Sequence, residues 1–192
     1  MPTDTKFFIS TGNNADGYVR PSEMIDLTVK GESKCPDWPE CPNDIFAAVG
    51  GLLGTKIMIC GGAVYDQGWH YSDECYIMGE GKATLTLQMS IKRAFGKSLV
   101  LNHNKMWITG GYSPNDNGIS GRTASSEFVT IEQSFLGPDL PLPLMQHEII
   151  AFNDTCSLLI GGDSTGISIA STYFYNHEDK IWSDGPCCWN HH

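Results

Sequence analysis

The stretch Ile57-Met58-Ile59-Cys60-Gly61-Gly62 carries an apolar run into two adjacent glycines. The same phrase returns as Phe7-Phe8-Ile9-Ser10-Thr11-Gly12, as Met106-Trp107-Ile108-Thr109-Gly110-Gly111 and as Leu158-Leu159-Ile160-Gly161-Gly162. The final glycines stand at 12, 62, 111 and 162, so successive copies are 50, 49 and 51 residues apart. A short apolar run stopped by glycine reads as a buried strand. Its return at a fixed interval marks one supersecondary unit copied along the chain.

Other features keep the same phase. After each stop comes a polar loop, then a strand that opens on a small or acidic pair: Ser22-Glu23-Met24-Ile25, Asp73-Glu74-Cys75-Tyr76, Ser126-Glu127-Phe128-Val129 and Ser171-Thr172-Tyr173-Phe174. Ahead of three stops lies a further apolar run, Phe46 to Leu53, Phe95 to Leu101 and Ile149 to Phe152. Proline-rich turns, Pro36 to Pro42 and Pro138 to Pro143, separate units and block helix continuation. The chain therefore reads as a single all-β domain over 1–192, in units of roughly 1–45, 46–93, 94–146 and 147–192, each of about four short strands. Such a unit cannot bury both faces of its own sheet, so it must stack on its copies, and radial stacking gives a β-propeller. Gly12, Gly61, Gly62, Gly110, Gly111, Gly161 and Gly162 are expected to be structural, placed where a strand leaves a crowded centre and the backbone needs unusual φ.

Composition narrows the function. Twenty-two acidic against 12 basic residues leave a formal charge of −10, which repels nucleic acid and anionic lipid surfaces. No apolar run approaches the roughly 20 residues of a membrane-spanning helix, so no membrane insertion is expected. The opening Met-Pro-Thr-Asp-Thr-Lys does not resemble a signal peptide. Seven cysteines and one Asn-x-Thr sequon at Asn153 lean towards an extracellular setting with glycosylation at Asn153, while the compartment stays open.

The glycine pair, the aromatic strand after it and a tryptophan near the end of the unit resemble the Kelch repeat. The fourth unit matches best, with Gly161-Gly162, Tyr175 and Trp182. Met89-Ser90-Ile91-Lys92-Arg93 resembles the Kelch Met-x-x-x-Arg turn into the next blade, and Gly137-Pro138-Asp139-Leu140-Pro141-Leu142-Pro143-Leu144 is similar to that turn in invertebrate Kelch-like proteins. The resemblance implies a Kelch-type β-propeller of about four blades of four antiparallel strands. Unit one departs from it, with Thr11-Gly12 for the glycine pair and no innermost strand, so an incomplete ring is expected.

In such a fold the loops between second and third strands share one face, here Asn13 to Pro21, Ala63 to Ser72, Tyr112 to Ser125 and Asp163 to Ala170. The second is the richest in interface-type side chains, and Tyr65, Asp66, Trp69, His70 and Tyr112 are the candidate binding residues. They point to a scaffold that binds a protein or glycan partner, not to an enzyme. The alternative the resemblance offers is a propeller enzyme acting on sugars, an oxidase or epimerase. No nucleophile elbow, His-Glu-x-x-His, phosphate loop or dinucleotide fingerprint supplies catalytic residues, and no cofactor is expected. Nor is a metal site: Cys187, Cys188, His191 and His192 are crowded side by side where a structural zinc site needs spaced pairs. Cys60 and Cys75 flank one hairpin in adjacent strands and are the candidate disulfide; Cys35 and Cys41 could close a smaller loop.

Overall fold

The computed structural model describes residues 6–14, 17–26, 37–38, 45–65, 67–79, 81–114 and 120–185, those before 45 by their backbone alone. All the regular structure there is β, with antiparallel pairing throughout. Asp66, Cys35, Cys41 and the Cys187–His192 tail lie outside the described residues. Among those described, no helix is long and apolar enough to cross a membrane.

Four sheets follow one another along the chain. The first holds β1 (Lys6–Asn14), β2 (Gly17–Asp26) and β3 (Asp37–Trp38), in that order. The second comprises β4 (Val49–Leu53) and β5 (Lys56–Cys60), a small hairpin of β6 (Ala63–Tyr65) and β7 (Trp69–Tyr71), then β8 (Glu74–Gly79) and β9 (Lys82–Gln88). The third repeats this plan with β10 (Lys97–Leu101), β11 (Lys105–Thr109), the hairpin β12 (Tyr112–Pro114) and β13 (Ser120–Arg122), β14 (Ser126–Val129) and β15 (Ser134–Leu136). The fourth repeats it with β16 (Glu148–Ala151), β17 (Cys156–Ile160), the hairpin β18 (Asp163–Ser164) and β19 (Ile167–Ser168), β20 (Thr172–Asn176) and β21 (Ile181–Asp184). Each of the last three is a four-stranded meander, and the small hairpin always interrupts it between second and third strands.

Three of the four loops after the glycine stops carry a small extra hairpin. The first strands begin later than the apolar runs, at Val49 and Lys97 instead of Phe46 and Phe95. Phe46 forms an isolated bridge to Ala63, and Phe95 has a φ of 58°. Here the chain turns to hand over from one sheet to the next. Ala47, Phe95 and Gln146 occupy equivalent places and all take left-handed φ, 55°, 58° and 55°. The Phe95 amide donates to the Ala47 carbonyl at 3.0 Å, and the Gln146 amide to the Phe95 carbonyl at 2.9 Å. A backbone ladder thus joins successive linkers.

The second, third and fourth sheets stack face to face. In the second and third sheets the second strand is buried on both sides, which is why it reads as a continuous apolar run. In β5, Met58 faces one core and Ile59 the other; in β11, Met106 and Ile108 face the second sheet while Trp107 faces the fourth. One core joins Leu53, Met58, Cys60 and Cys75 to Met106, Ile108 and Val129; another joins Trp107 to Ile149 and Tyr175. First strands lie side by side, β4 against β10 and β10 against β16. A Cβ on Gly51 of β4 would stand 2.5 Å from Val100 Cγ2, so glycine is what lets these strands approach. All six described glycines of the paired stops have positive φ, and Gly12 sits in β1 where the β1–β2 register shifts. At Gly111 a Cβ would meet the Ala94 carbonyl at 2.5 Å.

Cys60 and Cys75 lie directly opposite in β5 and β8, with Cα atoms 4.1 Å apart, and form the expected disulfide. Cys156 carries a free thiol. Tyr175 and Trp182 prove to be a cross-strand pair, their rings 4.9 Å apart and both against Trp107.

Junctions between sheets are sealed at one recurring pair of positions. Arg93, at the end of the Met89 turn, reaches into the third sheet, where its Nη1 donates to the carbonyls of Gly110 (2.8 Å) and Ser125 (2.9 Å) and its Nη2 approaches Glu127 Oε1 at 3.4 Å. Both side chains are buried, at 1% and 0% exposure. Glu127 also accepts from the amides of Ser90 (2.8 Å) and Ile91 (3.0 Å) and from the Ser134 hydroxyl (2.5 Å). At the other two junctions the equivalent residues are Ile45 with Tyr76 and Leu144 with Tyr173, each pair sharing an apolar cluster. Where the arginine is replaced, the glutamate is replaced too.

Candidate functional site

Strand direction decides what gathers at each end of the stack. In a meander the second strand ends where the third begins, and the linker enters the first strand at that same end. The small hairpins and the linker aromatics Phe46 and Phe95 therefore share one end.

There the β6–β7 hairpin is closed by Tyr65 directly opposite Trp69, rings 5.1 Å apart in an edge-to-face contact. Phe46 stands 5.1 Å from Trp69 and 5.5 Å from Phe95. Despite these neighbours, Tyr65 and Trp69 keep 55% and 51% of their surface exposed. His70, opposite Val64 in the same hairpin, is exposed as well. Tyr112, from the next hairpin, is half-buried, with its ring 5.9 Å from Tyr71 and the Arg122 guanidinium 6.0 Å above it. Arg122 in turn pairs with Asp163 of the third hairpin at 2.5 Å. This bond raises the pKa of Arg122 and lowers that of Asp163, so the pair stays charged.

Of the candidate binding residues, then, Tyr65, Trp69 and His70 share one hairpin and Tyr112 joins them through Tyr71. Phe46 and Phe95, which open two of the apolar runs in the sequence, belong to the cluster. The group offers ring faces and edges, one imidazole and an ion pair at its border.

Two histidines elsewhere bond to hydroxyls. His177 Nε2 lies 2.7 Å from Ser157 Oγ, and His147 Nε2 lies 2.8 Å from Thr109 Oγ1. Both hydroxyl residues are buried, Ser157 and Thr109 each at 0% exposure. No group of three histidine, cysteine or acidic residues able to hold a metal ion occurs among the described residues. Asn153 is exposed, its Oδ1 accepting from the amides of Thr155 and Cys156 at 2.9 and 2.8 Å.

No family model matches this chain. No curated protein matches it either. Solved structures do. The structure of YjhT superposes with a TM-score of 0.76 over 97% of this chain, at 11% sequence identity. That alignment takes in 64% of YjhT, so the chain spans just under two thirds of its length. At such an identity the likeness is one of fold.

Proposed function

We propose that the chain is part of a Kelch-type β-propeller that serves as an interaction scaffold, holding a protein or glycan partner on its hairpin end. The ring arrangement is supported by the interval of about 50 residues, the first strands lying side by side and the ladder through Ala47, Phe95 and Gln146. The observation that carries the binding reading is the exposure of Tyr65 and Trp69 in a preformed aromatic cluster. A soluble domain that leaves two large rings half uncovered and already ordered has little entropy to lose when a partner covers them. Sugars stack on such rings and protein anchors insert between them.

Capture from a glycan array and from candidate extracellular extracts, run in parallel for the native chain and for Trp69→Ala, tests this. The expected result is a bound species whose signal drops at least roughly tenfold in the variant while the melting temperature moves by no more than about 2 °C. If Trp69→Ala melts the fold, or leaves every capture unchanged, Trp69 is a packing residue and the scaffold reading fails.

A further inference from the structure

At the end of the stack opposite the hairpins, the third and fourth sheets diverge around a cleft of about 620 Å³. That volume lies in the range of small-molecule sites. Its aromatic walls are Phe128 and Tyr175, each fixed by packing on Trp107 at 5.6 and 5.0 Å. Tyr175 is buried, and no hydrogen bond among the described residues engages its hydroxyl. At the mouth Leu136 is 61% exposed, so the apolar lining continues to the surface.

The charges here run against those of the whole chain. Lys105 and Lys180 line the cleft against a single carboxylate, Asp154, although the chain as a whole carries −10. Lys105 Nζ is held 4.6 Å above the Phe128 ring, which places an ammonium on the aromatic wall itself. His177 adds no charge at neutral pH, since burial and then the neighbouring Lys105 lower its pKa.

We propose that this cleft binds a small aromatic carboxylate, its ring against Phe128 and Tyr175 and its carboxylate paired with Lys105 and Lys180. A bare phosphate would leave the apolar walls wet, and a neutral ring would leave two ammonium groups facing the single carboxylate of Asp154. The cleft lies apart from the hairpin end, so the two sites stand or fall separately.

Calorimetric titration with 2-naphthoate as the probe decides the matter. Expected are saturable binding at one site per chain, a loss of roughly tenfold in affinity for Lys105→Gln and for Lys180→Gln, the size of one lost charge-assisted hydrogen bond, and no change for Trp69→Ala. On the unaltered chain 2-naphthylmethylamine, of similar shape and opposite charge, is expected to bind at least roughly tenfold more weakly. This comparison holds even if a lysine variant fails to fold. No saturable binding of 2-naphthoate at millimolar concentration, equal binding of the amine, or indifference to both lysine substitutions would overturn the proposal.

Discussion

Replacing Arg93 by leucine copies into one junction what the chain already uses at another, where Leu144 faces Tyr173. Alone, the change leaves the Glu127 carboxylate buried without its cation and strips donors from the carbonyls of Gly110 and Ser125. Removing one partner of a buried pair costs about 3–5 kcal/mol. For a domain of this size each kcal/mol moves the melting temperature by about 2–4 °C, so Arg93→Leu is expected to melt about 6–20 °C lower. Glu127→Tyr alone leaves Arg93 uncompensated and belongs to the same range. The double variant removes both charges together. What it still loses is the donors to the Gly110 and Ser125 carbonyls and the acceptor for the Ser134 hydroxyl and the Ser90 and Ile91 amides, of which Ser90 is exposed and can turn to water. Its cost is then about 2–4 kcal/mol, against about 6–10 for the sum of the single changes. Urea unfolding of the four chains measures the coupling. Single effects that add to the double within about 0.5 kcal/mol would falsify the pairing and show that Arg93 is held by the two carbonyls alone.

Other perturbations have equally definite outcomes. His147 is buried, and its pKa is lowered to about 4, by desolvation first and then by Lys97, with Glu148 opposing. The unfolded chain therefore takes up the proton first, and stability falls as pH drops from about 6.5 towards 4, by roughly 3 kcal/mol at most; thermal melts of native and His147→Gln chains across that window check it, the variant lacking the step. Reducing the Cys60–Cys75 bond, whose partners are 15 residues apart, should cost roughly 3 kcal/mol and lower the melting temperature by about 6–12 °C; an unchanged melt in reductant refutes this. Gly111→Ala, with a φ of 105° and a backbone carbonyl at 2.5 Å, should destabilise more than Gly51→Ala, whose new methyl meets side chains that can shift. Equal denaturation midpoints would contradict that order.

Much of this architecture was legible in the chain because glycine pairs and apolar runs report backbone demands directly. The register that puts Cys60 opposite Cys75 follows from a strand ending at Gly61 and another starting near Glu74, and the bond is there. The small hairpins escaped notice because strands of two or three residues, such as Asp163–Ser164, are too short to show alternation. Phe46 looked like the start of a strand, since an apolar residue in a turn has the same letter as one in a sheet. The Arg93–Glu127 pair joins positions 34 apart in different units, and nothing local marks it. The cleft was invisible for the same reason: Lys105, Phe128, Tyr175 and Lys180 come from separate strands and hairpins, and only the splay of two sheets brings them together.

The ladder through Ala47, Phe95 and Gln146 is made of peptide groups alone, so the angle at which one repeat meets the next is written in the main chain. Side chains at each junction can drift, from ion pair to leucine and tyrosine, without changing the pitch. A repeat whose geometry is set in this way can change the letters at its junctions and still keep its shape.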